Sequence, residues 1–382
     1  MQLPAVQTKF LNLPNSFSLR NGATLDKVCV AYEQYGTLTP EKDNAILLFH
    51  ALSGSQHAYG YNPEVPGTGS LWKPENHEGW WNSIIGPGKP LDTDRFCIIC
   101  ANYLGGCYGT TGPATPCPAD GQPYGSRFPH VEIADQARLQ ALLLDSLGIE
   151  RVHLMGLIAL SFACQFPERV RSFISIGSGY RASIEHRLSL FEQILAIELD
   201  PDFQGGDYYR GPAPKKGLAF ARIIGHKSFV YQEGLEQRAR KEVGGNYGLL
   251  TWMTPTRSTQ SYMLHQGTKF AERFDANSYI RIADMWAEFD IRDHTPDGTF
   301  QTALEGFRRA GIPALIFSID TDCCFRPAEQ QDFAAQLEAA HIPTEFHTIA
   351  STKGHDSFLL EPELYAEPIR RILAARKPKG TA

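Results

Sequence analysis

The stretch from Val152 to Val170, VHLMGLIALSFACQFPERV, constrains the fold more than any other. A short apolar run, Val152 to Met155, meets Gly156 and passes without a linker into a segment that reads as a helix ending near Pro167. An all-apolar strand needs both of its faces covered, and a strand that turns directly into a helix lays that helix back across a sheet. The same alternation recurs along the chain. Ala45 to Phe49 and Arg95 to Cys100 read as buried strands, and Val131 to Gly148 as a helix with an apolar stripe that Gly148 can stop. Ser172 to Ile176, Ala314 to Ser318 and Thr344 to Ile349 read as further strands, and Ala328 to Ala340 and Pro362 to Ala375 as helices. This spacing predicts an α/β protein with a mostly parallel central sheet, right-handed crossovers and flanking helices.

The alternation is interrupted once. From about Ser183 to Ile291 strand-like runs thin out, and Glu185 to Leu199, Gly217 to Gly225 and Ser258 to Phe274 read as helices between polar loops. The expected organisation is a core of residues 1–182 and 292–382 with a helical cap, residues 183–291, inserted over the sheet. Val28 to Tyr35 reads as a strand in an antiparallel part of the sheet edge.

Composition narrows the function. A formal charge of −6 gives no general attraction for nucleic acid or anionic membranes, so small metabolites are the expected partners. No window approaches the apolar length of a membrane span, and the N-terminus shows no signal-peptide pattern. Eight cysteines without a secretion signal suggest reduced thiols and a cytoplasmic location. Cys97 and Cys100 sit in one apolar strand, where a spacing of three points their side chains to opposite faces, so they read as core rather than as a redox or metal pair. Adjacent Cys323 and Cys324 rarely bridge without strain. No metal site is expected.

Polar loops follow the strands where ligands bind in open α/β sheets. His50-Ala51-Leu52-Ser53-Gly54 follows Ala45 to Phe49, a glycine-rich loop from Asn102 to Pro113 follows the next strand, Asp320 and Asp322 follow Ala314 to Ser318, and Gly354-His355-Asp356 follows the last strand. A histidine acting as a base needs a carboxylate at its other nitrogen to fix the tautomer and stabilise the imidazolium. Strand-end nucleophile, then acid, then histidine is the chain order of α/β-hydrolases.

Long blocks then resemble the homoserine O-acyltransferase family of α/β-hydrolase-fold enzymes over nearly the whole length. They are His50 to Gly54, GWWNSIIGPGKPLDTDRF (Gly79 to Phe96), NYLGGCYGTTGP (Asn102 to Pro113), QGGDYYRGPAPKKGLAFARIIGH (Gln204 to His226), QGTKFAERFDANSYIR (Gln266 to Arg281) and GHDSFLLE (Gly354 to Glu361). The resemblance implies transfer of an acyl group from acetyl-CoA or succinyl-CoA to the side-chain hydroxyl of homoserine, in methionine biosynthesis, by a ping-pong route through an acyl-serine. Some relatives acylate serine, in cysteine biosynthesis. It implies no bound cofactor, acyl-CoA serving as co-substrate, and a homodimer. By the same resemblance His355 is the base and Asp322, aligned through Phe325, its acid in preference to Asp320. Arg222 holds the substrate carboxylate, where the alternative is a solvated helix charge, and Asp356 holds its ammonium, where the alternative is a turn cap. The backbone N–H of Leu52 supplies half of the oxyanion hole.

One block departs from the family. Where relatives read approximately G-G-S-x-G-G-M-Q-A-L, this chain reads Gly156-Leu157-Ile158-Ala159-Leu160, which fits a deletion of about five residues carrying the serine and its glycines. Read as substitutions, Ile158 would stand at a turn apex that needs positive φ, a poor place for a β-branched residue. Ser161 is the nearest hydroxyl, and reads as a helix-surface or helix-start serine rather than a replacement nucleophile. Phe229 stands where the family tends to carry a tyrosine. Three alternatives to ping-pong transfer follow: a pseudoenzyme that binds amino acid or acyl-CoA, direct attack of the hydroxyl on a bound thioester, and ester hydrolysis; an error in the gene model that removed the elbow codons would restore the ping-pong reading.

Overall fold

The computed structural model describes residues 3–239, 244–245 and 247–374, apart from the side chain of His294. Eight strands form the central sheet: β1 (Lys9–Asn12), β2 (Cys29–Tyr35), β3 (Ala45–Leu48), β4 (Cys97–Ala101), β5 (Val152–Met155), β6 (Val170–Ile176), β7 (Ala314–Ile319) and β8 (Thr344–Ile349). Their spatial order is β1-β2-β4-β3-β5-β6-β7-β8. β2 pairs antiparallel with both β1 and β4, and every pairing from β4–β3 through β7–β8 is parallel. The edge is therefore β1, a strand the alternation did not reveal because its side chains are mostly exposed.

The inner parallel strands are apolar because they are covered on both faces, whereas β8 at the edge is polar and half-buried. In β3, β4, β5 and β7 every residue is buried, Cys97 and Cys100 included, and all eight cysteines are free thiols. One face is covered by α1 (Ile133–Leu147), which ends on Gly148 in the left-handed region at φ 66° as expected, and by α2 (Ala159–Gln165). The expected segment from Gly156 to Pro167 is thus a helix of only seven residues. It is nonetheless well packed, since Ile158, Ala159, Leu160, Phe162 and Ala163 are all buried. Burial of three large side chains, Ile158, Leu160 and Phe162, contributes about 1.5–3 kcal/mol each. The β5–α2 connection therefore leaves the sheet covered.

Between β6 and β7 the described residues form helices and no strand: α3 (Ile184–Glu198), α4 (Lys215–Phe229), α5 (Gln232–Arg238), α6 (Ser258–Ala271), α7 (Ala276–Ala287) and α8 (Phe300–Arg309). The polar spacing of the chain gave only α3, α4 and α6, and it cut α4 short at both ends. The fold closes with α9 (Pro327–Ala339), α10 (Ser357–Leu360) and α11 (Glu363–Ala374). The expected last residue of the closing helix, Ala375, lies outside the described residues, as do 376–382 of the expected core. Among the described residues no helix is long and apolar enough to cross a membrane.

Candidate active site

The loops after β3, β5, β6, β7 and β8 and helix α4 surround a cavity of about 290 Å³. Its walls include Leu52, Leu157, Arg222, Phe229, His355 and Asp356.

His355 follows β8 and leans on the end of β6. A side chain on Gly177, at φ 52°, would come within 2.6 Å of the ring, so the approach requires glycine. His355 Nδ1 lies 2.9 Å from Asp322 Oδ2, with the carboxylate buried. Asp322 is itself fixed, because its Oδ1 accepts from the backbone N–H groups of Cys324 (2.7 Å) and Phe325 (2.9 Å). Asp320 instead accepts from Ser351 N–H at 3.0 Å, so the structure pairs the histidine with Asp322 and not with the neighbouring carboxylate. Burial alone would lower the His355 pKa. The charge and hydrogen bond of Asp322, with Asp356 nearby, outweigh it and hold the imidazole above its ordinary 6.5. An Nδ1–H donated to Asp322 leaves Nε2 as an acceptor, and Nε2 has no hydrogen-bond partner among the described residues. This is the arrangement of a base that can take a proton from a ligand hydroxyl.

At the end of β5 the turn is differently made. Gly156 carries the positive φ, 112°, and packs so closely on β3 that a Cβ would meet Phe49 O at 2.4 Å. Leu157 reaches the cavity wall, and Ile158 adopts ordinary right-handed geometry (φ −75°, ψ −12°) and is buried. The strained apex expected if Ile158 were a simple substitution is not formed. The turn carries no hydroxyl or thiol.

Ser161 is neither a surface residue nor part of this cavity. It is completely buried inside α2, and its Oγ accepts from Gln165 Nε2 at 3.0 Å. The physical reason is the packing of α2: five successive residues, 159–163, are buried, so a helical face could not be read from periodicity.

Arg222, on α4, is not a solvated helix charge. Its guanidinium lies between the rings of Phe229 (5.1 Å) and Phe270 (4.9 Å), and Nη1 donates to Ser53 Oγ at 3.2 Å. Burial, with neighbouring Arg273, holds its pKa below the usual range. Asp356 stands 3.5 Å from Arg238 Nη1, and burial raises its pKa despite His355, Arg238 and Arg222. The cavity therefore offers a cation and a carboxylate, a pair suited to a zwitterion. Leu52 lies in a turn closed by Gly54 N–H to Ala51 O (2.9 Å), behind which His50 stacks on Tyr103 at 3.8 Å. Burial lowers the His50 pKa to about 4, so this histidine is neutral at physiological pH.

Sequence reasoning missed Ser53 and Phe270 as contacts of Arg222, and Arg273 as a wall residue. Both latter residues sit within the block Gln266 to Arg281 quoted above, but no local pattern gave them a role. It also missed the buried pair of His57 Nδ1 and Glu33 Oε2 at 2.7 Å, which joins β2 to the loop after β3. The separation of 24 residues hides it from any motif.

Comparison with known proteins agrees with this geometry in two steps. Residues 44–362 match the family model of the α/β hydrolase fold, to which the chain belongs. Within that fold it is 38% identical over 373 residues to a homoserine O-acetyltransferase of Rhodospirillum rubrum, covering 95% of this chain and 91% of that protein. It is 35% identical over 381 residues to one of Geobacter sulfurreducens, covering 98% and 99%. Among solved structures, homoserine O-acetyltransferase from Bacillus anthracis superposes with a TM-score of 0.85 at 25% identity, covering 98% of this chain and 99% of that one. Esterase E22 gives 0.82 at 25%, covering 96% and 100%. The chain is a member of the homoserine O-acetyltransferase family.

Proposed function

We propose that this chain binds homoserine and an acyl-CoA in the cavity beneath α4 and transfers the acyl group directly between them. The observation that carries the reading is the coexistence of an intact His355–Asp322 pair with a β5–α2 turn that has no nucleophile. Arg222 takes the amino-acid carboxylate and Asp356 its ammonium, which places the side-chain hydroxyl toward His355. His355 Nε2 removes the hydroxyl proton as that oxygen attacks the thioester carbonyl. The C–S bond then breaks, and the imidazolium returns the proton to the departing thiolate. The N–H of Leu52 stabilises the oxyanion. The relatives' names favour acetyl over succinyl as the donor and homoserine over serine as the acceptor. The ping-pong route that the resemblance implies needs an acylated serine, and the turn Gly156-Leu157-Ile158 offers none.

A second reading, a pseudoenzyme that binds these ligands without turnover, is favoured by the same turn, because a triad without its nucleophile retains only a small residue of catalysis. Thiol release from acetyl-CoA with and without homoserine separates the two. Homoserine-dependent release with intersecting initial-rate patterns supports direct transfer, and binding without release supports the pseudoenzyme. Homoserine-independent release supports ester or thioester hydrolysis and contradicts both.

We treat residues 183–291 as the lid over this cavity, in a cytoplasmic enzyme of methionine biosynthesis. Ile184, Leu188, Phe191, Leu195 and Leu199, spaced four, three, four and four apart along α3 and its C-cap, are large and exposed. Such a stripe matches a helix-pairing seam, and on it we place a homodimer contact.

A further inference from the structure

Beside the cavity of His355 lies a second, polar cavity of about 240 Å³. The two share Ser53, Gly54, Trp80, Arg222 and Arg273. The polar cavity sets the cations Arg222, Arg273 and Lys269 against the carboxylates Glu75 and Glu78, while His57 on its wall is already paired with Glu33. Phe270 has two guanidiniums against it, Arg222 at 4.9 Å and Arg273 at 5.1 Å from the ring centre. Two like charges held around one ring repel unless an anion joins them, and the more so where water is excluded.

Glu75 joins them only loosely. It stands 3.8 Å from Arg273 Nε and 4.0 Å from Lys269 Nζ, whereas a charge-assisted bond is about 2.7–2.9 Å. Arg273 donates to Tyr108 Oη at 3.2 Å and Arg222 to Ser53 Oγ, both neutral acceptors. Donors of two arginines thus converge where the two cavities meet, and among the described residues no carboxylate comes within charge-assisted hydrogen-bond distance of either guanidinium.

We propose that Arg273, backed by Lys269, is a second anion-binding group that takes a terminal anionic group of the acyl donor, either the free carboxylate of a dicarboxylic acyl chain or a phosphate of its carrier. The inference rests on the proposed function, since the thioester has to reach His355 through these connected cavities. It leaves Arg222 free for the amino acid.

Calorimetric titration of the full chain tests it with two matched pairs. S-succinyl- and S-acetyl-N-acetylcysteamine differ in a terminal carboxylate and carry no phosphate; 4′-phosphopantetheine and pantetheine differ in a phosphate. Arg273→Gln is expected to raise the Kd of the charged member of one pair about tenfold and to leave its neutral partner unchanged. A change confined to the succinyl compound identifies the carboxylate as the source, and one confined to the phosphorylated compound identifies the phosphate. Equal changes in both members of each pair, or none, overturn the inference. Arg273 also contacts Tyr108, so Lys269→Gln, at a more exposed position, provides the same readout with smaller amplitude if Arg273→Gln does not fold. Arg273→Lys is expected to recover part of the discrimination. A wild-type chain that binds none of the four compounds overturns the proposed function along with this inference. A wild type that binds them, with no selective effect in either variant, overturns this inference alone.

Discussion

At the end of β8, His355 is held by a buried carboxylate that is held in turn by two backbone N–H groups. Three strands away in the sheet, at the end of β5, the turn is unstrained: positive φ is confined to Gly156, and Leu157 and Ile158 fill space with apolar atoms. The comparison separates two ways of building chemistry. An acid–base pair is sustained by ordinary hydrogen bonds that also stabilise their loops. A nucleophile raised on a tight turn demands strained backbone and small residues, at about 1–3 kcal/mol for such a conformation. The β5–α2 turn meets neither demand: its geometry is unstrained beyond Gly156, and its side chains are large and apolar.

The largest expected effect comes from reversing that exchange. Replacing Leu157-Ile158 with Gly-Ser-Leu-Gly-Gly-Met-Gln, the pattern of the family, is expected to raise kcat for acyl transfer on the order of 1,000-fold or more. Denaturant unfolding should show a loss of about 1–3 kcal/mol in the same variant. A faster and equally stable protein would break the link between strain and chemistry.

Removing the base from the intact end comes next. His355→Ala is expected to lower any homoserine-dependent transfer on the order of 100-fold or more in steady-state assays. In the wild type the rate should rise with pH through a pKa above 6.5, because Nε2 must be unprotonated to accept the hydroxyl proton. Asp322→Asn removes the group that raises that pKa, so the rising limb should move to lower pH while the rate falls. For stability the sign is opposite: the protonated His355–Asp322 pair contributes fully below pH ~6.5 and its contribution is lost as pH rises through the raised folded value.

Arg222→Gln tests the amino-acid end of the cavity. It should weaken homoserine binding about 10- to 100-fold by calorimetry, with little effect on acyl-CoA binding. The smallest effect is expected at Ser161→Ala. Transfer should stay within about twofold, and stability should fall by about 1 kcal/mol through the lost bond to Gln165. Loss of transfer in that variant would return Ser161 to the site.

Much of the fold was legible because the inner parallel strands are mostly apolar runs separated by striped helices. Gly148 and the order of the Asp322 and His355 loops carried position as well as type. β1 was invisible because an exposed edge strand has no apolar signature, and Ser161 was misread because α2 is buried nearly all round. Arg222, Asp356 and Leu52 came from resemblance; their shared cavity is a property of the topology, since they belong to segments more than a hundred residues apart. Arg273 has no local signal at all: its meaning depends on Phe270 carrying Arg222 on the same ring.

The central claim, an acid–base pair that works without an acylated turn, is tested most directly by intact mass spectrometry of the purified chain after incubation with acetyl-CoA alone. The account predicts an unmodified mass and no burst of free thiol. A stoichiometric burst with a protein heavier by one acetyl group, mapped to a single side chain in this cavity, would contradict it.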